Sequence, residues 1–253
     1  MVNGVKLNDY VDNSDDNTVW SPITSEEDKK EFSYHIEEVK RAFESGTKKE
    51  KGDSLETLMT FIFERLSCAI VEHDVLISDN QIDHLIDFIE GLTPTFIKDH
   101  FGLRIIGESK NHAESISGRE VTNLSDLLEF REAKSGIFSS VKSFSKRGKS
   151  FWTYGEGTRR KIFLRKRQTI IGFSLKELES LTENNFYTML KTKFGCLSDE
   201  INDNLSDVDD SVPYPDKLYK SLEQLYKLGI LDTDAYLKSK KNINDKYGPN
   251  TLI

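Results

Sequence analysis

Along the first third of the chain the apolar residues recur at helical spacing. Phe32, Ile36, Val39 and the Ala42-Phe43 pair fall three or four apart, which predicts a helix from Ser25 to Ser45, capped by Thr24 and Ser25 and ended by Gly46. After a basic turn, Lys48 to Gly52, a second stripe of Leu55, Leu58, Ile62, Leu66 and Ala69 predicts a helix from Asp53-Ser54 to about Ile70. The period then shortens. Val75–Ile77, Ile82–Ile89 and Leu103–Gly107 read as strands, with Gly91 and Pro94 marking a turn between the last two. Helix is expected over Asn123–Ala133 and Glu156–Arg167, and strand over Gly136–Val141 and Thr169–Phe173. Ser174-Leu175-Lys176-Glu177 is a capping box that opens another helix. Helices alternating with strands after residue 100 imply an α/β fold with a partly parallel sheet.

The polar segments divide the chain. Residues 1–24 are irregular and acidic, 25–198 hold the periodic elements, and 199–216 form an acidic linker with Pro213 and Pro215. Residues 217–253 read as a helical hairpin: Leu218, Leu222, Leu225 and Leu228, a stop at Gly229, then Thr233 to Lys241. Such a pair suits self-association into a homo-oligomer. No apolar run approaches the ~20 residues of a bilayer span, so no membrane is expected. The N-terminus lacks the basic-then-apolar build of a secretory signal. Cys68, expected on a helical apolar face, and Cys196 stand without a CxxC or histidine partner. That argues against a disulfide framework or zinc site and for a reducing cytoplasm.

A net charge of -8 conceals an uneven distribution. Between Ser140 and Ile170, Lys142, Lys146, Arg147, Lys149, Arg159, Arg160, Lys161, Arg165, Lys166 and Arg167 face a single acid, Glu156. Phe144, Phe151, Trp152 and Tyr154 are interleaved with them. Basic groups mixed with stacking groups point to a nucleic-acid backbone, chiefly through Lys142, Lys146, Arg147, Lys149, Arg159, Arg160 and Lys161. A solvated face is the plainer alternative.

The run Leu103 to His112 ends in Glu108-Ser109-Lys110. On a strand, Glu108 and Lys110 share a face, and a carboxylate beside an ammonium at a strand's end suits divalent-metal chemistry on a phosphodiester. That chemistry needs a second carboxylate, for which Asp83, before the apolar Leu85-Ile86, is preferred over Asp99, which reads as part of a turn. His84, His100 and His112 lack ligand spacing and read as surface groups. Glu56 reads either as a site residue or as the third residue of a capping box begun by Asp53.

In order along the chain, these residues resemble the PD-(D/E)xK, or restriction-endonuclease-like, superfamily. Lys51 to Glu56 looks like the opening of its first core helix, Gln81-Ile82-Asp83 like the strand of the first metal ligand, Ile105 to Asn111 like the (D/E)xK strand, and Ala133 to Ser140 like the following helix-to-strand step. The usual Pro before the Asp is absent, since Ile82 stands there, and the gap from Asp83 to Glu108 is long. The likeness spans about Glu37 to Leu181, a little over half the chain. It implies a nuclease-like domain over 25–198, with a mixed sheet flanked by helices.

The resemblance further implies a metal-dependent endonuclease acting on DNA, in restriction or defence against foreign DNA. Asp83 and Glu108 would hold Mg2+, or Mn2+ as a substitute. Lys110, with a pKa lowered by the metal, would orient or deprotonate the attacking water, and Glu56 would reach the metal through a water or hold Lys110. The alternative is a catalytically inactive relative that keeps the fold as a protein- or nucleic-acid-binding module.

Overall fold

The computed structural model describes residues 15–77, 80–145, 154–199 and 232–247, with single positions between 219 and 226. Its first helices begin where side chains satisfy the free N–H groups of the first turn. Asp15 accepts from Asn17 N and opens α1 (Asp16–Val19). Ser25 accepts from Asp28 N and opens α2 (Glu26–Ser45), which Gly46 ends. Thr47 and Glu50 form a reciprocal capping box that starts α3 (Lys48–Phe63). This box lies in the stretch expected to be a basic turn, so α3 begins five residues before Asp53. Asp53 and Glu56 therefore make no capping box. The helix also ends early, because Ala69 already belongs to a strand. Cys68 lies in the intervening turn, buried and free, and burial pushes its thiol pKa up to about 11.

Five strands form one sheet in chain order: β1 (Ala69–Ile77), β2 (Asn80–Phe88), β3 (Arg104–Lys110), β4 (Ser135–Ser140) and β5 (Thr169–Ser174). The first two pairings are antiparallel and the last two parallel. All six residues of β4 are buried, as expected of a central strand covered on both faces. Between β2 and β3 the expected turn is instead a 3-10 turn, Glu90–Leu92, followed by α4 (Thr95–His100). Asp99 lies on this helix, near the start of β3 rather than at the Glu108 end.

The two faces carry different helices. A Cβ at Gly107 would come within 3.0 Å of both Phe63 and His84, so α3 lies close against that face, with α2 packed outside it. On the opposite face a Cβ at Gly136 would lie 2.7 Å from Leu124 of α5 (Gly118–Phe130), which pairs with α6 (Gly155–Lys166). Val121, Leu124 and Leu128 join Ile106, Phe138, Ile162 and Ile170 in the core beneath them. After β5, the Ser174–Glu177 capping box opens α7 (Leu175–Glu179) as expected, and α8 (Phe186–Ser198) returns to the sheet. Phe186 meets Phe173 at a ring separation of 4.7 Å. Buried Lys193 of α8 reaches Glu177 at 2.8 Å and lies over the Phe173 ring.

This unit covers residues 1–200, and a second covers 201–253. In the second, α9 (Thr233–Tyr247) runs past the expected end at Lys241, and Tyr236 stacks on Tyr226 at 4.5 Å. Most of the expected partner helix, residues 217–228, and residues 200–216 of the acidic segment lie outside the described residues. Among the described residues no helix is long and apolar enough to cross a membrane.

Candidate functional site

β2 and β3 pair from Asp87–Arg104 to His84–Gly107 and then part. Asp83 comes one residue beyond the last pair. Its Oδ2 accepts a hydrogen bond from Ser109 N at 2.7 Å, taking the place of a backbone partner. The ladder to β1 also skips this position: His73–His84 and Val75–Ile82 pair, while Asp74 between them has φ 51°. Left-handed backbone at a residue other than glycine is costly and marks a local irregularity. Asp83 thus sits at a break in both ladders, with its carboxylate directed to β3.

Glu108 and Lys110 project from one side of β3 and form an ion pair, Oε1 to Nζ at 2.5 Å, with side chains 19% and 30% exposed. Burial, and then repulsion from Glu108, push the Asp83 pKa up to about 7 against the opposing Ser109 N–H bond. Burial alone would lower Lys110, yet attraction to Glu108 and Asp83 outweighs it and holds the ammonium above its ordinary value.

Glu56 stands near enough for charge to be felt, since Glu108 contributes to raising its pKa after burial, Asp74 and Asp53. It opens on a separate hollow of about 340 Å3, shared with Asp53, His73 and Asp74. Next to Asp83, His84 ties β2 to α3. Thr60 Oγ1 donates to Glu56 O, so it accepts from His84 Nε2 at 2.9 Å, which fixes that nitrogen as the N–H. Burial pushes His84 down to about 4 and keeps it neutral. His84 is thus a core residue, against the expectation of a surface group. His100 stacks on Phe194 at 4.2 Å.

Beside the carboxylates lies an open cavity of about 860 Å3, walled by Lys48, Gly52, Glu108, Lys110, Asn111 and His112, with α5 behind. His112 Nε2 is 3.0 Å from Glu120 Oε1, while Glu120 Oε2 caps α5 through Ser117. Asn111 and the His112–Glu120 pair went unrecognised in the sequence. The one signal available was alternation, since Glu108, Lys110 and His112 are each two residues apart.

The basic segment divides. Arg159 is fully buried, its guanidinium paired with Glu156 at 2.9 and 3.0 Å and lying over Phe144. It is no phosphate contact, and buried Phe144 is no stacking platform. Arg160 also binds Glu156, at 2.6 Å. These pairings, outweighing burial, hold Glu156 below its usual pKa. Lys142 is exposed, whereas Lys146, Arg147 and Lys149, with Phe151 and Trp152, lie outside the described residues.

No three His, Cys, Asp or Glu side chains among the described residues stand together closely enough to hold a metal. Mg2+ keeps several waters and takes one or two carboxylates. Asp83 and Glu108 are the carboxylates that would meet that demand, since a cation beside them would offset the burial and the Glu108 repulsion that raise Asp83. Compared with protein-family models, curated proteins and solved structures, the chain matches none.

Proposed function

We propose that the protein is a metal-dependent endonuclease hydrolysing phosphodiester bonds of DNA, of the PD-(D/E)xK type, in restriction or defence against foreign DNA. The observation that carries this reading is Asp83, bound to Ser109 N at a break in the sheet beside the Glu108–Lys110 pair. Asp83 and Glu108 would hold Mg2+ or Mn2+, which supplies a polarised phosphate and a water of lowered pKa. Lys110, as an ammonium, donates to the phosphate oxygens and offsets the charge that grows there. It also holds Glu108 in place. Glu56 adds negative charge from α3, and His84 anchors the backbone that presents Asp83.

The direct Glu108–Lys110 ion pair favours one other reading, an inactive nuclease-fold binding module in which that pair is purely structural. Calorimetric titration with Mn2+ separates the two. The nuclease reading expects a saturable site in the wild type that Asp83→Asn weakens at least tenfold. No binding by the wild type supports the inactive module.

A further inference from the structure

Lys48 and Lys49 occupy the first turn of α3, exposed and without an ion pair among the described residues. The helix dipole disfavours cations at this end. Thr47 and Glu50 already cap the turn, so capping does not account for the lysines. Lys48 lines the cavity that holds Glu108 and Lys110, and so does Gly52, four residues along. Glycine weakens a helix interior relative to alanine, and packing does not require it here. A Cβ at Gly52 would meet only Glu56 Oε1, at 3.4 Å. Gly52 puts no side chain on the wall of this cavity.

A third residue points to the same place. Asn111 lines the cavity and is 7% exposed. Its Nδ2 donates to Lys51 O at 2.7 Å, and its Oδ1 has no partner. A buried acceptor without a donor is costly, and a donor brought by a ligand would satisfy it. Neither a phosphodiester nor an internal deoxyribose has a donor to offer, but the exocyclic amine or ring N–H of a base does. The acids in the same wall, Glu108, Glu120 and Asp126, oppose a free anion deep in the cavity and leave the phosphates to the lysine rim.

Resting on the nuclease reading, we infer that a single DNA strand enters the site over the first turn of α3. Lys48 and Lys49 contact its phosphates, Gly52 keeps the passage open, and Asn111 Oδ1 accepts from a base N–H. The test is fluorescence anisotropy of a labelled single-stranded DNA oligonucleotide, with Ca2+ replacing Mg2+, across a salt series. Lys48→Ala with Lys49→Ala should weaken binding about tenfold and flatten the log–log salt slope by roughly 0.7 per lysine. Gly52→Ala should raise the Tm, since it favours helix, and yet weaken binding, while Gly52→Leu should abolish it. Wild-type affinity and slope in all three variants, with wild-type cleavage intact, would overturn the strand path alone. A wild type that neither binds in Ca2+ nor cuts in Mg2+ would overturn the nuclease reading with it.

Discussion

Asp83 is a poorly solvated carboxylate facing a second carboxylate, and its titration carries a sign that can be checked. Its folded pKa of about 7 lies above the ordinary 3.8. The native state therefore holds a proton that the unfolded chain has lost between those values. Stability from this group is full below pH 3.8, declines as pH rises, and is gone above about 7. Asp83→Asn removes the charge but keeps an acceptor for Ser109 N. In EDTA its Tm advantage over wild type should be small near pH 4, grow towards pH 7 and then level off; a gap constant with pH would refute the burial argument. Lys110 makes a different prediction. Its ammonium acts on charge that develops during reaction, so Lys110→Ala should lower kcat about 10²- to 10³-fold with little change in DNA affinity measured in Ca2+. A loss confined to KM would place Lys110 in ground-state binding.

At the level of elements, what the sequence makes legible depends on how far each signal reaches. The strands β2 to β5 and the Ser174 box were readable because alternation, apolar runs and capping are local patterns, whereas β1 was read only from Val75 on. The parallel half of the sheet was readable too, from helices alternating with strands. The start of α3 was misread because the lysines of 48–51 concealed the Thr47–Glu50 box. That Asp83 on β2 lies beside the strand of Glu108 agrees with the expectation that the two would neighbour each other. The ladder breaks at Asp74 and Asp83 were not legible, because left-handed backbone at an aspartate has no composition signal. Arg159 was misassigned for a similar reason: a basic run does not reveal that one member turns inward to Glu156. Arg159→Ala should then destabilise the fold by about 3 kcal/mol, the cost of stripping a partner from a buried charge, with Arg160 still bound to Glu156. Thermal melts check this, and an unchanged Tm would contradict the buried pairing. A triple Arg159, Arg160 and Lys161 replacement would accordingly report on folding rather than on DNA.

For the molecule as a whole, the net charge of -8 means that binding to a polyanion has to come from local positive charge. Affinity for DNA should fall steeply between low and physiological salt, and salt-independent binding would exclude phosphate contacts as its source. The central claim is that Asp83, Glu108 and Lys110 form one metal-dependent hydrolytic site. It is tested most directly by incubating purified wild type, Asp83→Asn and Lys110→Ala with supercoiled plasmid in Mg2+, Mn2+ or EDTA, and resolving the products on a gel. The account predicts nicked and linear DNA from the wild type with either metal, none in EDTA, none from Asp83→Asn in Mg2+ with partial recovery in high Mn2+, and cleavage by Lys110→Ala slowed about 10²- to 10³-fold. A wild type inert with both metals, or cleavage that persists undiminished in both variants, would contradict it.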